Sequence, residues 1–351
     1  MDEYLFRTAI WAATLALLTG LVGCADERAD EFRNRWREPV MLGIAWDRDV
    51  TNPEPLRALS STTLPPADDA KVRLGQMLFH DATLSRDGTV SCASCHVLAK
   101  GGDDDRAVSL GIDAQEGAIN APTVLNAALN FRQFWDGRAS NLIEQARAPV
   151  ENPAEMGSDW LDVISKLEGN PNYALAFAAA FGDEQITVDR VVNAIAVFER
   201  TLITPAPFDR YLAGDADAIS LSAKEGYTRF KALGCVACHQ GINVGGNLFQ
   251  KFGAIQAAFE VDSDADRGRE NVTRSALDRG VFKVPSLRNV VNTAPYFHDG
   301  SVARLQDAVR IMGAVQLGRN LSDDDVNSLV DFLKTLSGEV PDGSRPSEGS
   351  L

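Results

Sequence analysis

Two five-residue stretches carry chemistry: Cys92-Ala93-Ser94-Cys95-His96 and Cys235-Val236-Ala237-Cys238-His239. In each, two thiols three residues apart can add to the two vinyl groups of one haem, and the histidine that follows is delivered to the proximal face of the iron. A bare C-x-x-C also suits a thioredoxin-like redox pair or half of a zinc site. Neither alternative needs a histidine directly after the second cysteine, nor a second copy, so two covalent haem c groups are expected. The chain has five cysteines; four belong to these stretches and the fifth, Cys24, closes an N-terminal apolar run. No pair is left for a structural disulfide.

Few side chains can complete the coordination of two irons. Besides His96 and His239 only His80 and His298 remain, and after the initiator the methionines are Met41, Met77, Met156 and Met312. A methionine late in a cytochrome c domain closes the sixth position and raises the potential. Met312, expected at the end of a helix far downstream of His239, is assigned that role at the second haem. The first half offers Met156 and, directly before it, Glu155. If Met156 binds iron, both haems are closed and the chain is an electron carrier. If the iron is open and Glu155 faces it, the carboxyl can shuttle a proton between the two oxygens of a bound peroxide. Spacing alone leaves both readings open.

The elements that position these residues read as helices. Apolar residues at helical spacing predict helices over 69–79, 141–148, 160–167, 173–181, 188–202, 222–233, 303–312 and 322–336, with Ser222-x-x-Glu225 as a capping box. Strand patterns are short and few. Pro205 and Pro207 interrupt the pattern, which places a boundary between an N-terminal haem domain, 69–205, and a C-terminal one, 206–340. The expected fold is mainly α, two tandem cytochrome c-like haem domains with one haem motif in each. The acidic loops at 100–105 and 262–268 read as solvated turns; the second has its glycine one place late for a calcium loop, and Thr273 where a bidentate Glu should stand.

With 351 residues, 45% of them hydrophobic, the chain can bury two cores. A net charge of −15 argues against nucleic acid and anionic lipid surfaces and would attract a small basic protein. The apolar run 9–23 has the length of a signal-peptide core rather than of a membrane span. Its end, Leu21-Val22-Gly23-Cys24, resembles the lipobox of bacterial lipoproteins, in which the cysteine is lipidated. A plain cleaved secretory signal is the alternative. Residues 1–23 are thus expected to be removed, 24–68 to form a charged, Pro-rich tether, and 341–351 a disordered tail. A periplasmic protein follows, touching the membrane only through a lipid on Cys24.

From about Asp69 to Leu336 the chain resembles the bacterial dihaem cytochrome c peroxidases and their MauG-type relatives. The resemblance rests on Ala121-Pro122-Thr123-Val124-Leu125-Asn126, Gln133-Phe134-Trp135-Asp136-Gly137-Arg138, Pro285-Ser286-Leu287-Arg288-Asn289-Val290 and Pro295-Tyr296-Phe297-His298-Asp299-Gly300, in family order around the haem motifs. It implies that the first haem is peroxidatic and the second admits electrons. It also implies Glu155 as distal acid/base, Gln145 as a polar neighbour, and Trp135 as an electron relay between the haems. One calcium ion between the domains would use the Asn120 side chain and the carbonyls of Thr293 and Pro295. His298 is expected to hydrogen-bond near the haem edge and His80 to be structural. The implied substrate is hydrogen peroxide and the donor a cytochrome c or copper protein; a homodimer is left open.

One departure matters. Many family members carry, a fixed distance after the first proximal histidine, a second histidine that blocks the peroxidatic iron until the other haem is reduced. Here that position is Ile112, which cannot ligate iron. The first haem is therefore expected to be high-spin and open when fully oxidised. MauG-type enzymes also lack the blocking histidine, but they replace the methionine at the electron-entry haem by Tyr, whereas Met312 is retained here. That favours a peroxidase over a protein-modifying oxidase.

Overall fold

The structure, a computed structural model, describes residues 54–258 and 263–342. The signal run, Cys24, most of the expected tether and nearly all of the expected tail lie outside the described residues. The longer helices are α1 (Asp69–His80), α2 (Leu142–Glu151), α3 (Trp160–Glu168), α4 (Pro171–Phe181), α5 (Val188–Glu199), α6 (Pro207–Leu212), α7 (Leu221–Leu233), α8 (Leu305–Leu317) and α9 (Asp323–Lys334). Among the described residues, one antiparallel pair forms the sheet: β1 (Phe249–Lys251) and β2 (Val281–Lys283), with Phe249 opposite Lys283. The fold is mainly α, as the periodicity implied.

Side-chain caps start these helices. Asp68, Asn141, Asp159, Thr187, Ser220 and Ser322 each accept a backbone N–H of the first turn. The capping box expected at Ser222 is therefore displaced: Ser220 caps α7, and the Ser222 hydroxyl donates to Asp331 on α9 at 2.6 Å. Helix α8 does not stop at Met312 but continues to Leu317 and ends on Gly318 in the left-handed region. Gly313 is buried within it, where a Cβ would lie 2.7 Å from Leu321, so the glycine admits a neighbour rather than ending the helix.

Two hydrophobic clusters result. The first gathers Leu74, Leu78, Phe79, Phe177, Val191 and Phe198; the second gathers Leu56, Phe208, Tyr227, Phe230, Leu329 and Phe332. Leu56 shows that the end of the supposed tether belongs to the second core. Glu54 accepts from the Tyr227 hydroxyl, and Leu59 N–H donates to buried Asp209 at 2.7 Å. Each core is built on one helix crossing with a glycine at the contact. A Cβ on Gly75 of α1 would stand 1.9 Å from Ala194 O of α5, and one on Gly226 of α7 would stand 1.8 Å from Ser328 O of α9. In both, a phenylalanine one helical turn on, Phe79 or Phe230, packs against a phenylalanine of the partner helix, Phe198 or Phe332.

The halves also repeat in their loops in constant register: Pro122 answers Pro285, Asn126 answers Asn289, Phe134 answers Phe297, and Trp135 answers His298. Asn126 and Asn289 share a left-handed φ, 60° and 61°, and both side-chain amides donate to the Thr204 hydroxyl. The junction between the halves is reciprocal. Asn120 N–H donates to His298 O at 2.8 Å, and its counterpart Lys283 N–H donates to Trp135 O at 2.8 Å.

Candidate functional site

At the first C-x-x-C-H, Cys92–Cys95 form one helical turn, and His96 N–H closes it on Cys92 O at 2.9 Å. His96 Nδ1 lies 3.1 Å from Gly102 O, which leaves Nε2 without a protein partner among the described residues. The carbonyl reaches the imidazole because Gly101 and Gly102 both turn through positive φ, 95° and 82°. A Cβ on Gly102 would also meet Thr123 Oγ1 at 2.7 Å. Burial pushes the Cys92 thiol up to about 12.

The second motif opens onto a cavity of about 440 Å³. Cys235, Cys238 and His239 line it together with Met312, Leu305, Val309 and Leu333. His239 is buried, and burial pulls its imidazole down to about 4, against the neighbouring Val244 and Pro285 backbone, which favours the proton. Burial likewise pushes Cys235 up to about 11. Met312, half-buried in the interior of α8, faces the same space as His239. Met156 is instead buried in the first hydrophobic cluster.

Glu155 follows α2 in a turn built on Asn152, the helix's C-terminal cap, whose Nδ2 donates to Glu155 Oε1 at 2.6 Å. Burial raises the carboxyl above its ordinary range; the Asn152 hydrogen bond and the charge of Arg138 act in the opposite direction. Its charge is felt at both Cys92 and Cys95, so the carboxyl stands at the first haem-binding motif. Gln145 lies half-buried on α2, with no hydrogen bond to Glu155 among the described residues. Behind Glu155 sits the loop that carries Ile112. Ile112 is 0% exposed and donates its N–H to Glu155 O at 2.8 Å, and a Cβ on Gly111 would strike Ala154 O at 2.1 Å. Asn152 and Arg138 were not singled out from sequence, because only the fold brings them to Glu155. Glu199, at the end of α5, was also missed. Buried beside Cys92 with one oxygen unpartnered, it is pushed up to about 8 by desolvation.

At the junction, half-buried Trp135 donates its indole N–H to Asn120 O at 2.9 Å and meets His298 edge-on, ring centroids 6.4 Å apart. His298 is buried, with Nε2 2.9 Å from Asp266 Oδ1. Asp266 thus points inward, not into solvent as the acidic loop suggested. Asp103 departs likewise from the solvated reading of 100–105: it is buried, and desolvation pushes it up to about 7. Asn120, Thr293 and Pro295 line the same cavity as Trp135. The Asn120 amide donates to Arg106 O and Ala107 O, at 2.9 and 3.3 Å. His80 packs its ring edge-on against Phe79.

The donor sets fit haem c. Each centre pairs two thiols with an imidazole held at its motif, and the second adds a largely apolar cavity with a thioether. Among the described residues no cluster of three or more His, Cys, Asp or Glu offers a different metal site. Residues 69–217 match the family described as di-haem cytochrome c peroxidase. The chain is 47% identical over 294 residues to a cytochrome c551 peroxidase of Nitrosomonas europaea, covering 84% of this chain and 87% of that protein. It is 44% identical to a cytochrome c551 peroxidase of Pseudomonas aeruginosa, over 79% of this chain and 81% of the other. A crystal structure of a MauG-like protein associated with microbial copper homeostasis superimposes with a TM-score of 0.71 at 26% identity, over 86% of this chain and 98% of that one.

Proposed function

Because the chain belongs to the di-haem cytochrome c peroxidase family, we propose that it reduces hydrogen peroxide to two waters with electrons from a small cytochrome c or copper protein, and needs no prior reduction to do so. Bound haem supplies an iron that takes peroxide at the first centre and electron transfer at both. His96 and His239 would hold the two haem irons, and Met312 would be the second protein ligand at the centre of Cys235 and Cys238. Glu155 would accept a proton from one oxygen of hydrogen peroxide and return it to the other, so that water leaves; two electrons and two further protons complete the reduction to a second water. Asn152 orients the carboxyl and Gln145 is a polar neighbour in the same pocket. Trp135, braced by Asn120 O, lies at the junction that electrons cross between the halves.

The observation that carries this reading is the buried Ile112 locked behind Glu155, which puts an aliphatic side chain where a blocking ligand would come from. Met312 in the His239 cavity favours a peroxidase over a protein-modifying oxidase. Calcium at the junction is supported by neutral hard oxygens alone, the Asn120 side chain and the Thr293 and Pro295 carbonyls. Export with a lipid on Cys24 rests on the sequence. The test is a pair of variants. Glu155→Gln is expected to slow peroxide turnover by about 10²- to 10⁴-fold with the spin state of the first haem nearly intact, and Met156→Leu to leave that spin state unchanged. A spin change in Met156→Leu, with no peroxide turnover in the wild type for Glu155→Gln to lose, would favour an electron carrier.

A further inference from the structure

Among the described residues nothing neutralises Lys283, a buried cation. It is 5% exposed on β2, and its ammonium has no hydrogen-bond or ion-pair partner among the described residues. Desolvation pulls it down to about 8, with no opposing charge. A buried ammonium left in that state is costly, and the side chain is retained where an anion completes it. The cavity it lines is distinctive in a chain of net charge −15: Lys251 and Lys283 face it, and among the described residues no aspartate or glutamate does. The same walls carry Cys235, Cys238 and His239. A haem attached there would bring two propionate carboxylates to a wall whose charged side chains, among the described residues, are lysines.

We propose that Lys283 pairs with a propionate of the haem held at Cys235, Cys238 and His239. The inference rests on the reading of that motif as a haem site. The clamp is tied to the junction, because Lys283 N–H donates to Trp135 O at 2.8 Å. It is also one-sided: the repeat counterpart of Lys283 is Asn120, which is neutral, so the second half alone places an ammonium at this position. A positive charge held beside the haem favours the reduced state and keeps the propionate ionised across the working pH range. The other titratable groups on the cavity wall are Lys251, His239, His298, Tyr296, Cys235 and Cys238.

The test is a spectroelectrochemical titration of the low-spin haem in the holoprotein at several pH values, for the wild type, Lys283→Gln and Lys283→Arg. The wild type and Lys283→Arg are expected to hold a nearly constant midpoint potential between pH 6 and 8 (roughly the window in which an unpaired buried carboxylate titrates). Lys283→Gln is expected to lie lower at the alkaline end and to fall as pH rises, with a slope approaching one proton per electron. Loading of the second haem in Lys283→Arg but not in Lys283→Gln would support the same requirement for a cation. Potentials in Lys283→Gln that track the wild type at every pH, or failure of both variants to load, would overturn the clamp. Peroxide turnover by the wild type is read separately, so loss of the clamp and loss of the peroxidase reading remain distinguishable.

Discussion

Ile112 and Glu155 act as one unit, since the backbone N–H of the first holds the carbonyl of the second. Ile112→His restores an imidazole at the family's blocking position, and it is expected to convert part of the oxidised first haem to low spin and to make turnover depend on prior reduction, read by optical spectra before and after one-electron reduction. Because the side chain is 0% exposed, the polar ring is also expected to cost about 1–3 kcal/mol of stability, read by denaturant unfolding. Unchanged spectra at every oxidation state would show that the loop cannot deliver a ligand. The pH profile follows from the same site. In its proposed role Glu155 must start deprotonated to accept a proton, and burial raises its pKa. Turnover is therefore expected to be lost on acidification at a pH above the ordinary carboxylate range; an acid limb at the ordinary position would contradict the burial of Glu155. The motif residues and Ile112 were legible in sequence because covalent attachment and ligation fix residue type and spacing. Asn152, Arg138 and Glu199 were not, since proximity to Glu155 or Cys92 leaves no local pattern.

Two helix crossings set the halves, and in each the contact allows no Cβ. In an exposed helix Gly→Ala gains up to about 1 kcal/mol. At Gly75 the sign should reverse, because the added carbon meets a backbone carbonyl at 1.9 Å and α1 cannot approach α5. Gly75→Ala and Gly226→Ala are each expected to lose about 1–3 kcal/mol, measured as a lowered thermal midpoint of the holoprotein. A raised midpoint would mean that the helices can separate cheaply. Periodicity located these helices to within a few residues. It misplaced the start of α7, where Ser220 and Ser222 are equally good caps by type, and it ended α8 at a glycine that tertiary packing tolerates. The G-x-x-x-F pattern shared by α1 and α7 stood in the sequence, but only the crossing shows what it is for.

Across the whole molecule the loop repeat makes the junction nearly symmetric in hydrogen bonding and asymmetric in chemistry: Trp135 faces His298, and Asn120 answers Lys283. The linker between the halves is pinned by Arg288 and Asp209, both buried, through two hydrogen bonds of 2.9 and 2.7 Å, while Asp209 also holds Leu59 N–H and Ala206 N–H. Arg288→Met leaves that carboxylate buried and unpaired, and is expected to cost about 3–5 kcal/mol, read by unfolding, with a smaller loss in Arg288→Met/Asp209→Asn. Equal losses in the single and double variants would show that packing, not charge, holds the linker. The haem motifs disclosed the tandem repeat but hid the register of its loops: His96 and His239 stand closer in sequence than Asn126 and Asn289 do, because the segment around β1 and β2 lengthens the second half. The proposed function turns on one asymmetry, an open first centre beside a second one closed by Met312. Electron paramagnetic resonance of the fully oxidised holoprotein before any peroxide is added addresses it directly: one high-spin and one low-spin ferric signal in equal amounts are expected, and two low-spin signals would contradict it.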